Sequence, residues 1–308
     1  MKQPRTRFIL PSALFFAILA VSTASIFIKF AQEEAPSLVI AALRLIIASL
    51  VLAPLALTRH RAELCSLSRG DVTLGLLSGF FLSIHFATWI TSLEYTTIAS
   101  SVVLVSTGPL WVALMSPLFL REPLTRPVLI GMALALVGGI VIGLSDSCTW
   151  SYGLACPSLE QVLHGRAMNG NLLALTGALT VAGYLIIGRK LRVKISLIPY
   201  IFLVYATAAV CLLVFMVFAK ESPFGLSSIT YLWIILLALV PQLIGHSTYN
   251  WALAHLPAAF VAITTLGEPI GSAVLAYFIL NESPTAAILG GGMLILTGIY
   301  LASRGSGK

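Results

Sequence analysis

The chain has 308 residues, 58% of them hydrophobic and only 9% charged, with a mean hydropathy of +1.00. Soluble domains carry about 25% charged residues, so water is excluded as the solvent for most of this surface and a lipid bilayer takes its place. The net charge of +7 does not point to nucleic acid, because the basic residues fall in short gaps between apolar runs and form no basic-aromatic patch.

About 30 Å of hydrocarbon needs roughly 20 apolar residues of helix. Ten segments meet this requirement: 8–30, 36–57, 72–93, 97–119, 127–145, 170–188, 197–218, 229–252, 258–280 and 285–303. They are called segments 1 to 10 below. Lys2, Arg5 and Arg7 precede segment 1 like the n-region of a signal peptide. The apolar run continues to Phe30 without a small-residue cleavage site, so it is read as a retained helix.

Segment 2 carries Arg44 in its first third, where a guanidinium binds a substrate carboxylate, snorkels, or pairs with a carboxylate such as Glu268. A structural or gating role is the favoured reading. In segment 3, His85, Trp89 and Ser92 share one helical face. Segment 4 holds Pro109, a structural or gating residue, with Trp111 after it as a candidate substrate contact. Glycines Gly131, Gly138, Gly139 and Gly143 in segment 5 allow close helix approach, within the chain or in a dimer. The one long joint, 146–169, contains Cys148 and Cys156, which form either a disulfide or two thiols.

The second half mirrors these features. In segment 8, Gln242, His246 and Tyr249 lie four and three apart, on one face of an α-helix. Segment 9 carries Glu268, whose charge at that depth costs about 2.5–3.5 kcal/mol and so faces a cavity, a partner or a proton. Thr264 and Ser272 lie four residues to either side of it, and Pro269 removes a backbone donor beside it. Glu268 is read as a ligand for a substrate amine or as a proton-coupling group; the bland alternative is a protonated carboxyl that bonds a neighbouring helix. For His85 and His246 the alternatives are likewise ligand contacts or helix–helix hydrogen bonds. Glycines Gly290, Gly291, Gly292 and Gly298 stripe segment 10 as their counterparts do segment 5.

A shift of 160 residues aligns 88–138 with 248–298 without a gap, matching Pro109 with Pro269, Glu122 with Glu282, Gly131 with Gly291 and Gly138 with Gly298. Each repeat holds five helices, an odd number, so the two enter the membrane from opposite sides. The predicted fold is therefore an all-α membrane protein of ten transmembrane helices in two inverted five-helix repeats: 1–145, the extracytoplasmic loop 146–169, and 170–308. With the N-terminus in the cytoplasm, the inner side holds Lys2, Arg5, Arg7, Arg59, Arg61, Arg69, Arg121, Arg126, Arg189, Lys190, Arg192, Lys194, Arg304 and Lys308, and the outer side only Lys29, Arg166 and Lys220. That asymmetry places both termini in the cytoplasm.

These residues resemble the drug/metabolite transporter superfamily and, within it, the ten-helix EamA-like family. The resemblance is carried by Arg44, Gly108-Pro109, Leu120 to Thr125 and Gly131, and in the second half by Tyr249 to Leu253, Glu268-Pro269, Leu280-Asn281-Glu282 and Gly291. It covers nearly the whole chain except the loop 146–169. It implies a secondary transporter in the cytoplasmic (inner) membrane that exports or exchanges amino acids, related metabolites or drugs. Members differ in proton coupling, and they carry a basic residue at the position of Arg44 whatever the substrate.

The composite expectation is alternating access around a cavity lined by Glu268, His246, Gln242, Tyr249, His85, Trp89 and Trp111. Its substrates would be amino acids or related amphipathic solutes, with protons as an open coupling partner. A multidrug or cation exporter and a lipid flippase of the same fold are the alternatives. No catalytic constellation, cofactor motif or metal spacing is visible, so an enzyme is not expected. The chain is read as a monomer or a homodimer.

Overall fold

The computed structural model describes residues 6–96, 101, 104–145, 149–150, 154–155, 166–280 and 286–305. Among these residues, six helices are long and apolar enough to cross a membrane: Leu10–Ala31, Ser37–Thr58, Arg69–Tyr95, Met168–Arg192, Leu197–Phe218 and Ser228–Ala252. Shorter apolar helices occupy Gly108–Phe119, Arg126–Val141 and Leu289–Ala302. The protein is an all-helical, multi-pass membrane protein of about ten helices; a two-residue ladder, Thr149–Trp150 with Leu154–Ala155, is its only strand pairing among the described residues. Cys148 and Cys156 lie outside the described residues.

Several segments depart from uninterrupted α-helix. Segment 1 is Thr6–Ser22 and Ala24–Ala31, parted at Thr23. Segment 8 begins as Ser228–Leu237, widens into a π-helix over Ala238–His246, and ends as Ser247–Ala252. Pro241 lies inside the π stretch, where its missing N–H removes an α-helical bond. A short polar helix, Arg61–Ser66, joins segments 2 and 3. Segment 7 runs from Leu197 to Phe218 as predicted.

The chain divides into two compact units that cut across the sequence repeats: Met1–Ser83 with Tyr184–Pro257, and Ile84–Gly183 with Ala258–Lys308. In the first unit, segment 2 packs on segment 7, and segment 1 packs on the π stretch of segment 8. Gly245 makes the second contact possible, since a Cβ there would lie 2.5 Å from Val21 Cγ1 and 3.2 Å from the Val21 nitrogen. Phe27 and Phe30 stack on Trp233 at 5.8 and 4.9 Å.

In the second unit, segment 5 (Arg126–Ser145) packs along segment 10 (Ala286–Gly305). A Cβ on Gly131 would meet the Gly298 carbonyl at 2.4 Å, and one on Gly138 would meet the Gly291 carbonyl at 2.4 Å. As one number rises the other falls, so the helices run antiparallel. Gly131, Gly138, Gly291 and Gly298 are packing residues within one chain.

Carboxylates from the joints between segments close three helix N-termini. Glu34 accepts from the Ser227 nitrogen (3.0 Å) and from the hydroxyls of Ser227 (2.7 Å) and Thr230 (2.5 Å) at the start of segment 8. Glu63 accepts from the nitrogen (2.7 Å) and hydroxyl of Ser196 at the start of segment 7. Glu122 accepts from the Ala258 nitrogen (3.1 Å) at the start of segment 9. Each supplies an orphan N–H with a negatively charged acceptor, where the helix dipole favours it. Large apolar side chains such as Leu118 and Phe218 stand exposed, at 78% and 82%; in lipid this is the favourable side.

Candidate functional site

The first unit encloses a polar cluster at the depth of its helices. Arg44, Tyr184, Tyr200 and Tyr205 are its largest fully buried side chains. Ser78 Oγ and the Tyr200 hydroxyl share a hydrogen bond of 3.0 Å, and Ser78 also donates to the Tyr184 carbonyl at 3.4 Å. Asn250 Nδ2 donates to the Tyr184 hydroxyl (2.5 Å), the His246 carbonyl (2.9 Å) and the Tyr205 hydroxyl (3.3 Å). Tyr205 pairs with Ser247 Oγ at 3.2 Å.

Gln242 is fully buried in the π stretch, Tyr249 is buried, and His246 is half-buried with its ring edge-on to Tyr249 at 6.4 Å. The i→i+5 bonds of a π-helix widen the turn, and the four-residue spacing of Gln242 and His246, just under one wide turn, still keeps them near one face. Two guanidiniums finish the cluster at the end of segment 8: Arg192 Nε donates to the Asn250 carbonyl (3.0 Å) and Arg189 to the Leu253 carbonyl (2.8 Å). Segment 6 is thereby clamped to the last turn of segment 8. The sequence reading missed Tyr184, Tyr200, Tyr205, Ser78, Ser247 and Asn250; the Tyr249-Asn250 pair was the one available signal.

The second unit carries a different constellation. His85 Nδ1 meets the Gly177 carbonyl at 2.9 Å, and a carbonyl only accepts, so Nδ1 carries the proton. The imidazole stacks on Trp89 at 5.9 Å and 15°. Ser92 donates to the Trp89 carbonyl (2.6 Å) and bonds Ser101 across to segment 4 (2.6 Å). The face predicted for segment 3 is thus a packed unit of histidine, indole and serine. Trp89 Nε1 and Trp111 Nε1 are buried without a hydrogen-bond partner among the described residues. Each such donor costs about 1–3 kcal/mol.

Segments 4 and 9 are both interrupted, and at matching places. Turns at 106–107 and 266–267 separate the upper parts from the half-helices Gly108–Phe119 and Glu268–Leu280. Thr107 N bonds the Leu104 carbonyl (3.2 Å), and at the 160-residue offset Gly267 N bonds the Thr264 carbonyl (3.1 Å). Pro109 and Pro269 fall in the first turn of each lower half, a position where the missing N–H costs little. Gly108 packs its bare Cα toward Val181 Cγ1, 3.1 Å from where a Cβ would be. Glu268 opens its half-helix and is half-buried, at a terminus that favours a negative charge. The break also ends the Thr264 to Ser272 stripe expected of a continuous helix.

No group of three or more histidine, cysteine, aspartate or glutamate side chains gathers among the described residues. Repeated, broken helices and buried polar cores in a multi-pass helical protein are the build of small-molecule carriers. The chain belongs to the EamA-like transporter family, which matches residues 10–144 and 168–304, one domain in each half.

Among its relatives are the uncharacterized transporter YetK of Bacillus subtilis, 26% identical over 86% of this chain and 78% of the relative, and an uncharacterized transporter of Archaeoglobus fulgidus, 24% identical over 95% and 96%. The pseudopaline exporter CntI of Pseudomonas aeruginosa is 25% identical over 96% of this chain and 97% of its own. A protein of known crystal structure superimposes with a TM-score of 0.77 at 19% identity, over 96% of this chain and 97% of the other; this likeness concerns the fold.

Proposed function

We propose that the protein is a secondary transporter that exports or exchanges amino acids or related amphipathic solutes across the cytoplasmic membrane by alternating access. The observation that carries the reading is the pair of matched helix breaks before Gly108 and Glu268, since discontinuous helices at equivalent points of two repeats are how transporters build midplane sites. The exporter among the relatives supports outward movement.

The antiparallel contacts Gly131–Gly298 and Gly138–Gly291 support an inverted repeat, because the 160-residue shift turns each contact into the other. Ten crossings are supported by loop contacts. Thr96 bonds Asn171 (2.9 Å) while Glu122 bonds Ala258 (3.1 Å). Were segments 4 and 5 not to cross, Glu122 would share the membrane face of Thr96 and Asn171, one to which three further crossings do not return Ala258. The basic residues of the joints then set both termini in the cytoplasm.

In this reading Gln242, His246 and Tyr249 of the first unit, and His85, Trp89, Trp111 and Glu268 of the second, are substrate contacts. Arg44, Pro109 and Pro269 serve structure or gating. The test is counterflow in proteoliposomes preloaded with single unlabelled solutes and offered labelled amino acids. Accumulation promoted only by certain preloads supports the reading; none with any amino acid, alongside uptake of labelled drugs or headgroup-labelled lipid, refutes it. Glu268→Gln should abolish flux or its pH dependence while expression holds, and unchanged flux at every pH would reduce Glu268 to packing.

A further inference from the structure

At one end of the first unit, the joint between segments 2 and 3 is tied to the joint between segments 6 and 7. Glu63 of the short helix Arg61–Ser66 accepts from the nitrogen (2.7 Å) and the hydroxyl of Ser196. Lys194 Nζ reaches Asp71 at 3.4 Å. The helices beneath are in close contact, since a Cβ on Gly79 of segment 3 would stand 2.6 Å from the Val204 carbonyl of segment 7. Residues 59–71 and 192–196 therefore share one fixed frame.

Charge on this frame is unbalanced. Glu63 and Asp71 are the only acids in the two joints, and both are committed. Glu63 holds Ser196, while Asp71 accepts from Ser68 Oγ (2.7 Å) and holds Lys194. Arg192 is buried, with its guanidinium on the Asn250 carbonyl (3.0 Å) and the Ile195 carbonyl. Arg59, Arg61, Arg69 and Lys190 are exposed and form no ion pair among the described residues. Apolar side chains border these cations. Leu57 is 54% exposed, and Val193, set between Arg192 and Lys194, is 65% exposed. A valine turned outward from a basic turn is unfavourable in water and favourable against an acyl chain.

We propose that this end of the first unit is a docking surface for anionic phospholipid, with Arg59, Arg61, Arg69 and Lys190 on the headgroups and Leu57 and Val193 against the chains. The surface is independent of which solute is carried. Basic residues scattered anywhere on this face would satisfy topology. Here they stand on a fixed frame whose acids are already bonded, so their field is left for an outside anion. Guanidinium groups match phosphate oxygens with paired N–H donors. A soluble anion would meet the same cations but leave Leu57 and Val193 in water, whereas a lipid covers both. In the orientation proposed above, the surface meets the inner leaflet.

The test uses the full-length protein in detergent, with the thermal unfolding midpoint read against added lipid. The probes are dioleoylphosphatidylglycerol, dioleoylphosphatidylcholine (the same chains without net charge) and inorganic phosphate (the anion without chains). The expected result is a rise in midpoint at phosphatidylglycerol concentrations about tenfold or more below those phosphatidylcholine needs. High salt should abolish that difference, and inorganic phosphate should produce no rise. Arg59→Gln, Arg61→Gln, Arg69→Gln and Lys190→Gln should each weaken the phosphatidylglycerol response by about fivefold and leave the lipid-free midpoint unchanged. Lys220→Gln removes the same charge beyond the far end of segment 7 and should alter neither. Equal responses to the two lipids would overturn the surface. So would an equal loss in Lys220→Gln, which would assign the effect to net charge. A full response to inorganic phosphate would overturn lipid as the occupant in favour of a soluble anion. Lipid-free midpoints that fall in the four variants while the lipid response stays intact would overturn the surface in favour of a structural role.

Discussion

The glycine seam between segments 5 and 10 invites a quantitative trial. Ordinary contact begins near 3.4 Å, and a Cβ on Gly131 would stand 2.4 Å from the Gly298 carbonyl, a shortfall of about 1 Å against backbone that no rotamer change relieves. Gly131→Ala must push the helices apart by roughly that distance. A gap of 0.5–1 Å already forfeits about a quarter to a half of each dispersion contact along the seam, and overpacking costs about 1–3 kcal/mol. The controls lie on the same helices: a methyl group on Gly139 or Gly290 would meet nothing within 4 Å, and there alanine gains about 0.5–1 kcal/mol of helix preference. Thermal unfolding in detergent should therefore show lower midpoints for Gly131→Ala and Gly138→Ala and equal or higher ones for Gly139→Ala and Gly290→Ala. Gly131→Ala combined with Gly298→Ala should cost less than the sum, since both spread the same contact. If Gly131→Ala proved as mild as Gly139→Ala, the seam would not be a backbone contact and the symmetry argument built on it would fall.

Two further outcomes concern pH. Hydrogen bonds from Thr230 and Ser227 hold Glu34 below the usual carboxylate range; its stabilising effect is present above the unfolded value near 4.5 and is lost as pH falls through the folded one. The midpoint of the parent protein should drop on acidification in a way that Glu34→Gln, lower at neutral pH, does not reproduce. His255, exposed at its tip, is held below its ordinary value by partial desolvation, then by Arg192 and Arg189. The unfolded chain there binds the proton more readily, so stability is lost as pH falls below about 6.5. His255→Gln should flatten that part of the midpoint–pH curve, and an unchanged curve would assign the acid sensitivity elsewhere.

Much of this architecture is written in local sequence. The limits of segment 7 follow from Ser196 and the basic run before it, and the breaks in segments 4 and 9 are announced by Pro109 and Pro269, although each break falls just before its proline because proline is tolerated in the first turn of the next half-helix. The π stretch was not legible. Counting in turns of 3.6 residues put Gln242, His246 and Tyr249 on one face, and only the three-dimensional packing against segment 1 at Gly245 and the cluster at Tyr205 reveals the wider turn. The tyrosines of that cluster look like ordinary apolar filler one at a time. Their meaning comes from partners such as Ser78 with Tyr200, 122 residues apart, which no local window brings together.

The three joint carboxylates bear on how the chain is made. Glu34, Glu63 and Glu122 precede the helix starts they close by 193, 133 and 136 residues. A ribosome delivers the acids first, solvated at the membrane surface, and segments 8, 7 and 9 long afterwards. Each late helix thus enters with open donors at its N-terminus and finds a charged acceptor already in place. The early half of the chain serves as a jig for the late half, and a mutation in a loop near the start would be felt as a helix near the end that fails to seat.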